Sequence, residues 1–187
     1  MIEGTSNERR ERPNRKEHFF NRAKTTAERS TCLRRKIGAV IISKDGVELS
    51  SGYVGSPRET AHCIDIGNCL RIELGIESGQ NYELCRSVHA EQNAIINAAR
   101  VGISIVGGEM YISSEKIADA YRDHRGKRQR IYGPCIICKK EIINSGIKKV
   151  HMREEGVGQR SYSIKRITNM LAKEEEGWRN KKLTNKT

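Results

Sequence analysis

This chain predicts an α/β fold, with helices on both faces of one sheet, and three observations support that reading. Short β-branched runs alternate with longer helical patterns in the order αββ–α–β–α–β–α. A turn signal, "KDG" at 44–46, joins the first two strand-like runs. The 187 residues are 36% hydrophobic, which suits one core and one domain.

Taken in order, residues 1–16 are charged, contain Pro13, and predict a flexible basic tail. "KEHFFNRAKTTAERS" reads as a helix whose apolar stripe is Phe19, Phe20, Ala23 and Ala27. "IGAVII" and "VELSSGYV" make a hairpin, with Gly46 free to take a positive φ in the turn. Residues 56–87 contain Cys63, Cys69, Cys85 and His62 among turn residues, and predict an irregular segment that needs a clip. "HAEQNAIINAARVG" is a helix: Ala90, Ala94, Ile95 and Ala98 share one side, and Gly102 stops it. "GGEMYISS" is a strand. Residues 115–133, with "HRGKRQR", read as a basic insertion. "CIICKKEIINSG" is a helix opened by Pro134 and closed by Gly146. "IKKVHM" is a strand, "SIKRITNMLAKEEE" a last helix, and residues 176–187 a tail. The single domain then spans residues 17–175.

The net charge is +12, concentrated in "ERRERPNRK", "HRGKRQR" and "RNKK". It favours anionic partners, either a nucleotide phosphate or a nucleic acid. Aromatic residues make up only 5% of the chain, which argues against stacking platforms for single strands. No apolar run approaches the ~20 residues of a membrane span. The first residues contain no apolar stretch of the secretory kind, so the expectation is a cytoplasmic protein without a membrane partner. Thiols stay reduced in the cytoplasm, where clustered cysteines hold metals more often than they form disulfides.

Two stretches carry the chemistry: "SVHAEQNAIINAAR" and "GPCIICKKEIINSG". Cys135 and Cys138 sit at i and i+3 and so face one way from a first helical turn; His89 also opens a helix. Helix N-termini favour the thiolate form. Two thiolates and an imidazole are three zinc ligands, which leaves the fourth position to water, as in catalytic sites. Glu91 is two residues from His89, close enough to move the water's proton without binding the metal. Taken alone, an HxE is weak and a CxxC fits a structural zinc or a redox pair equally well. An HAE that opens a helix upstream of PCxxC is much more specific.

His-Ala-Glu followed by Pro-Cys-x-x-Cys resembles the signature of the zinc-dependent cytidine/deoxycytidylate deaminases. The likeness runs from about Thr31 to Met152, and "STCLRRKIGAVI", "GYVGSP", "CRSVHAEQNAII" and "IINSGIKKV" look most like the deoxycytidylate branch. The resemblance implies a three-layer α/β/α fold with a mixed five-stranded sheet, and homo-oligomers, with hexamers favoured. It implies hydrolysis of a cytosine nucleotide, dCMP to dUMP plus ammonia, which feeds thymidylate synthesis. Catalytic Zn2+ would sit on His89, Cys135 and Cys138, with Glu91 as proton shuttle and the Ala90 amide donating to the pyrimidine carbonyl. It implies a second, structural Zn2+ on Cys32, Cys63, Cys69 and Cys85, with His62 as substitute. Nucleotide effectors, dCTP and dTTP, come with the resemblance, and Mg2+ would accompany them.

Three departures from the pattern qualify these implications. Val54 stands where the family has an asparagine that helps hold the sugar. "RET" follows Pro57 where some relatives have effector-loop glycines. The 115–133 insertion separates the strand from PCxxC. For the substrate phosphate the expected contacts are Arg58 and then Lys36, because arginine grips phosphate with two prongs. The competing readings are a deaminase of a modified cytosine nucleotide or of tRNA or DNA, and a non-catalytic, zinc-stabilised nucleic-acid binder. Nucleic acid is the less favoured partner.

Overall fold

The computed structural model describes residues 11–76, 80–116 and 133–184. Five strands form one mixed sheet: β1 (Arg35–Ile42), β2 (Glu48–Tyr53), β3 (Glu109–Lys116), β4 (Lys149–Glu154) and β5 (Gly158–Ser163). Their order is β2-β1-β3-β4-β5; only β3 and β4 run parallel. The parallel pair needs a crossover, and the helix between β3 and β4 supplies it. The β1–β2 hairpin turns at Gly46, whose φ of 93° suits glycine.

Strand alternation divides the sheet's two faces. Val40 and Ile42 of β1 and Tyr111 of β3 meet Phe19, Phe20 and Ala23 of α1 (Arg15–Ala27). Ala39, Ile41, Met110, Ile112 and Val150 project the other way. They meet α4 (Ala90–Arg100), α5 (Ile136–Asn144) and α6 (Ile164–Thr184) through Ala90, Ala94, Ala98, Cys138, Ile142 and Ile167. The layering is therefore α/β/α, as expected. Asn14 opens α1, its side chain accepting the Glu17 N–H at 3.0 Å. α4 ends in paired bonds, Ile103 N–H to the Ala98 carbonyl and Gly102 N–H to Ala99, with Gly102 at φ 70°.

Two close approaches set the spacing of the layers. A Cβ on Gly38 would lie 2.2 Å from the Ala23 carbonyl oxygen, and one on Gly52 would lie 2.3 Å from the Ala94 nitrogen. α1 and α4 thus pack backbone-to-backbone on β1 and β2. Ser50 donates to the Ala94 carbonyl at 2.7 Å, and Asn93 and Asn97 donate to the Tyr53 and Ser51 carbonyls at 2.8 Å, which pins α4 to β2.

The structure differs from the sequence reading in several places. β5 carries no strand signal because it is an edge strand on which only Tyr162 is buried. Charged, polar edges resist unwanted pairing, and the same polarity hides the strand from periodicity. β3 continues through Glu115 and Lys116, the first two residues assigned to the insertion; residues 117–132 lie outside the described residues. α1 begins at Arg15, inside the expected tail, while residues 1–10 lie outside the described ones. α6 runs through Gly177 to Thr184, past the expected tail start at 176, since one helical glycine costs only about 1 kcal/mol. The 56–87 segment contains short helical turns, α2 (Cys63–Ile66), α3 (Leu70–Glu73) and a 3-10 turn at Tyr82–Leu84. No helix among the described residues is long and apolar enough to cross a membrane.

Candidate metal centre and nucleotide cavity

His89 and Cys135 are the N-cap residues of α4 and α5, so two helix starts converge on one point. The approach to α4 is held by a two-way bridge, Val88 N–H to the Gly55 carbonyl at 2.8 Å and Gly55 N–H to Val88 at 3.2 Å. Cys135 Sγ accepts the Cys138 N–H at 3.5 Å, which orients the first sulfur toward the second. His89 Nδ1 lies 3.2 Å from Cys135 Sγ and 3.3 Å from Cys138 Sγ.

These donors fit a tetrahedral cation. Zinc bonds of ~2.0–2.1 Å to nitrogen and ~2.3 Å to sulfur space such donors by roughly 3.5–3.8 Å. All three donor atoms lie within 4.8 Å of one another, the only such trio among the described residues. The electrostatics agree. Hydrogen bonding from Cys138, then from His89, overcomes burial and pulls the Cys135 thiol down to about 4. Burial opposes charge on His89, yet its contact with Cys135 pushes its pKa up. A thiolate and an imidazolium sharing a proton are a set that a 2+ ion suits better.

Glu91 sits in the first turn of α4, two residues after His89, and is 6% exposed. Burial raises its pKa, the nearby Cys135 charge adds to that, and His89 opposes it. A carboxyl moved up toward neutrality is suited to taking and returning a proton. The Ala90 side chain is buried, and its amide lies in the first turn of α4, whose N–H groups have no intrahelical acceptor.

The centre opens onto a cavity of about 290 Å³, at the small end for ligand sites. It lies at the carboxyl end of β3, where open α/β sheets place their ligands. His89, Glu91 and Cys135 form one part of its wall, and Ile37, Val54 and Ile112 an apolar part. Tyr82 stands edge-on to the His89 ring, centroids 5.4 Å apart, with the Arg71 guanidinium 5.2 Å over its own ring. Burial, then the Cys135 charge, raises the Tyr82 pKa, so its hydroxyl stays protonated. Sequence reasoning missed Tyr82 because it lies in a segment without periodicity.

Val54 is 5% exposed, and its N–H donates to the Ile37 carbonyl at 3.0 Å; it offers the cavity a methyl surface where a carboxamide was the expected pattern. The two expected phosphate contacts do not line the cavity. Arg58 is exposed and donates to Asn97 at 2.8 Å. Lys36 falls, by strand alternation, on the face of Val40 and Ile42, which α1 covers. Arg34 and Arg35 line the cavity instead.

Cys32, Cys63, Cys69 and Cys85 are free thiols and also border this cavity. Burial raises the Cys63 thiol, and the charges of the other three add to that, with the Ser87 hydroxyl 4.0 Å away opposing it. No three of these four donors gather within 4.8 Å. His62, at the N-cap of α2, is bonded through its N–H to Asp65 at 3.3 Å.

Residues 13–154 match the family described as the cytidine and deoxycytidylate deaminase zinc-binding region. The chain is 32% identical over 139 residues to ComE operon protein 2 of Bacillus subtilis, covering 74% of this chain and 59% of that protein. It is 29% identical over 144 residues to deoxycytidylate deaminase of Schizosaccharomyces pombe, covering 77% of this chain and 38% of the relative. The chain thus spans less than two thirds of either relative. The structure of dCMP deaminase from the cyanophage S-TIM5, in complex with dCMP and dUMP, aligns with a TM-score of 0.54 at 25% identity, over 87% of this chain and 93% of that one.

Proposed function

The chain belongs to the cytidine and deoxycytidylate deaminase family, and from that premise we propose that it hydrolyses a cytosine nucleotide, converting dCMP and water to dUMP and ammonia. One observation carries the reading: the buried Glu91 carboxyl shares a cavity with His89 and Cys135, whose donor atoms converge with Cys138 Sγ behind them. The relative of known structure that binds dCMP and dUMP supports the substrate class.

His89, Cys135 and Cys138 would hold the zinc. When bound, zinc supplies the Lewis acidity that makes water deprotonable near neutral pH. Glu91 takes that water's proton and delivers it to ring nitrogen 3, which makes carbon 4 electrophilic. It takes the second proton of the added oxygen and passes it to the exocyclic nitrogen, which leaves as ammonia. The carboxylate ends as it began, and cytosine plus water balances uracil plus ammonia. The Ala90 amide orients the pyrimidine carbonyl, while Ile37, Val54 and Tyr82 exclude water around the ring, where low polarity strengthens each polar contact.

The same reading assigns Cys32, Cys63, Cys69 and Cys85 to a second, structural zinc, with His62 as substitute. Its support is that four free thiols border one cavity. Close to two zincs per purified chain is the expected ratio; a ratio near one removes the second site. Hexamer assembly and control by dCTP or dTTP with Mg2+ complete the proposal, and sedimentation and effector titrations test them.

The deciding assay is ammonia release from dCMP, CMP, dCTP, deoxycytidine and 5-substituted dCMP by the zinc-loaded chain. Turnover fastest on dCMP supports the reading. Release from none of them overturns it.

A further inference from the structure

We propose that α6 braces the metal centre from behind, with Glu174 and Met170 as positioning residues for the two sulfurs. The inference rests on the metal-site half of the deaminase reading. It extends that site to a helix that begins at Ile164, beyond residues 13–154 that match the family.

The inward face of α6 runs at helical spacing. Ile164, Ile167, Met170, Leu171 and Glu174 are shielded, while the other residues of 164–177 are exposed. Ile167 is fully buried in the same core cluster as Cys138, and Ile164, Met170 and Cys135 pack against that cluster. The apolar stripe then ends in a carboxylate. Glu174 accepts a hydrogen bond from the Lys139 ammonium of α5 in an ion pair that joins the two helices.

Lys139 is the buried partner. Its side chain is 3% exposed against 40% for Glu174, and lysines are almost never that buried without a counter-charge. Removing one partner of such a pair strands a charge away from water. The backbone of Lys139 is tied to both sulfur-bearing residues. Its N–H closes the first turn of α5 on the Cys135 carbonyl at 2.9 Å, and Cys138 directly precedes it in the chain.

The second contact lies one turn earlier on α6. A Cβ on Gly133 would fall 2.8 Å from Met170 Cε, so the thioether end rests on the backbone just before Pro134 and Cys135. Gly133 also lines the cavity. Met170 and Glu174, at i and i+4, therefore hold the Cys135–Cys138 turn from both sides, one before it and one after it. Metal donors need placement to within about 0.5 Å. The imidazole takes its place from α4; the sulfurs take theirs from α5 held against α6.

The test compares wild type with Glu174→Ala and Met170→Ala in the full chain. Zinc affinity is measured by competition with a chromogenic chelator, the cobalt(II)–thiolate absorption band after metal exchange, and the melting temperature of the metal-free chain. A brace predicts that each variant binds zinc about 10-fold more weakly and shifts the cobalt band. Met170→Ala strands no charge, so it keeps the test open if Glu174→Ala does not fold. A lower metal-free melting temperature with wild-type zinc affinity and cobalt band shows general packing only, and overturns the inference. If neither variant folds, α6 is a folding element and the inference falls as well. Wild type that binds neither zinc nor cobalt overturns the metal centre and this inference with it. Metal binding without turnover of any cytosine nucleotide overturns the deaminase reading alone.

Discussion

Gln92 donates to Glu141 at 2.8 Å across the gap between α4 and α5, while its carboxamide oxygen accepts the His89 N–H at 2.9 Å. One side chain therefore ties the start of the helix that carries the imidazole to the helix that carries the second sulfur. Groups that hold ligands in place are worth about 10–100-fold in metal affinity. Gln92→Ala should lower zinc affinity by that factor with little change in melting temperature, read by competition with a chromogenic chelator. Unchanged affinity would show that the link is idle.

Glu91→Gln keeps the shape of the buried carboxyl and removes its proton-carrying capacity. Turnover should fall by at least ~10²–10⁴-fold, the usual contribution of a positioned acid–base group, with zinc content retained. Activity within tenfold of wild type would take the proton-shuttle role away from Glu91.

Cys135→Ser and Cys138→Ser each replace a sulfur that lies within 3.3 Å of the imidazole nitrogen. Elemental analysis should find about one zinc fewer per chain in each variant, and activity should vanish with it. Full metal content would count against the cysteine concerned.

Gly52→Ala puts a carbon 2.3 Å from the Ala94 nitrogen and 2.7 Å from the Ala90 oxygen, both rigid helix backbone. Overpacking of this kind costs roughly 2–3 kcal/mol, or about 6 °C in melting temperature for a chain of this size. α4 must also shift, so activity falls with stability. A variant as stable as wild type would show that α4 can move freely over β2.

His151 gives stability its expected pH dependence. Its Nε2 lies 3.1 Å from Glu109 Oε2 and its Nδ1 lies 2.7 Å from the Ser161 hydroxyl. A carboxylate can only accept, so Nε2 carries the proton and Nδ1 accepts from Ser161. Burial holds the His151 pKa below 6.5; Glu109 opposes this, and Lys16 and Lys149 reinforce it. Burial raises Glu109, but the His151 hydrogen bond and Lys149 outweigh it and bring the net below 4.5. Both groups bind protons more weakly folded than unfolded. Their stability is present above about pH 6.5 for His151 and about pH 4.5 for Glu109, and is lost as pH falls further. Thermal melts should drop between pH 7 and 5, and His151→Gln should flatten that drop.

The parts of the fold legible in the sequence were those with a period. Ala90, Ala94 and Ala98 recur at helical spacing, and Gly102 marks the stop, so α4 was readable to within a residue. β5 was not, because one buried residue in six makes no pattern. At the cavity, the i, i+3 spacing of Cys135 and Cys138 was enough to bring both to one helix start. Lys36 lies off the cavity wall because β1 alternates: Ile37 lines the cavity in step with Ala39 and Ile41, and Lys36 takes the opposite face. Tyr82 had no such signal; only the folded path of residues 80–89 brings its ring against His89.

The imidazole and the two sulfurs are separated by 46 and 49 residues of chain, with the whole of β3 between them. During translation the histidine leaves the ribosome long before either cysteine, so the ion cannot act as an early template for folding. Sheet registry and helix docking must bring the pair to the histidine first, which makes metallation a finishing step. Chelator-stripped protein should therefore keep its circular dichroism spectrum and take zinc back without a refolding phase.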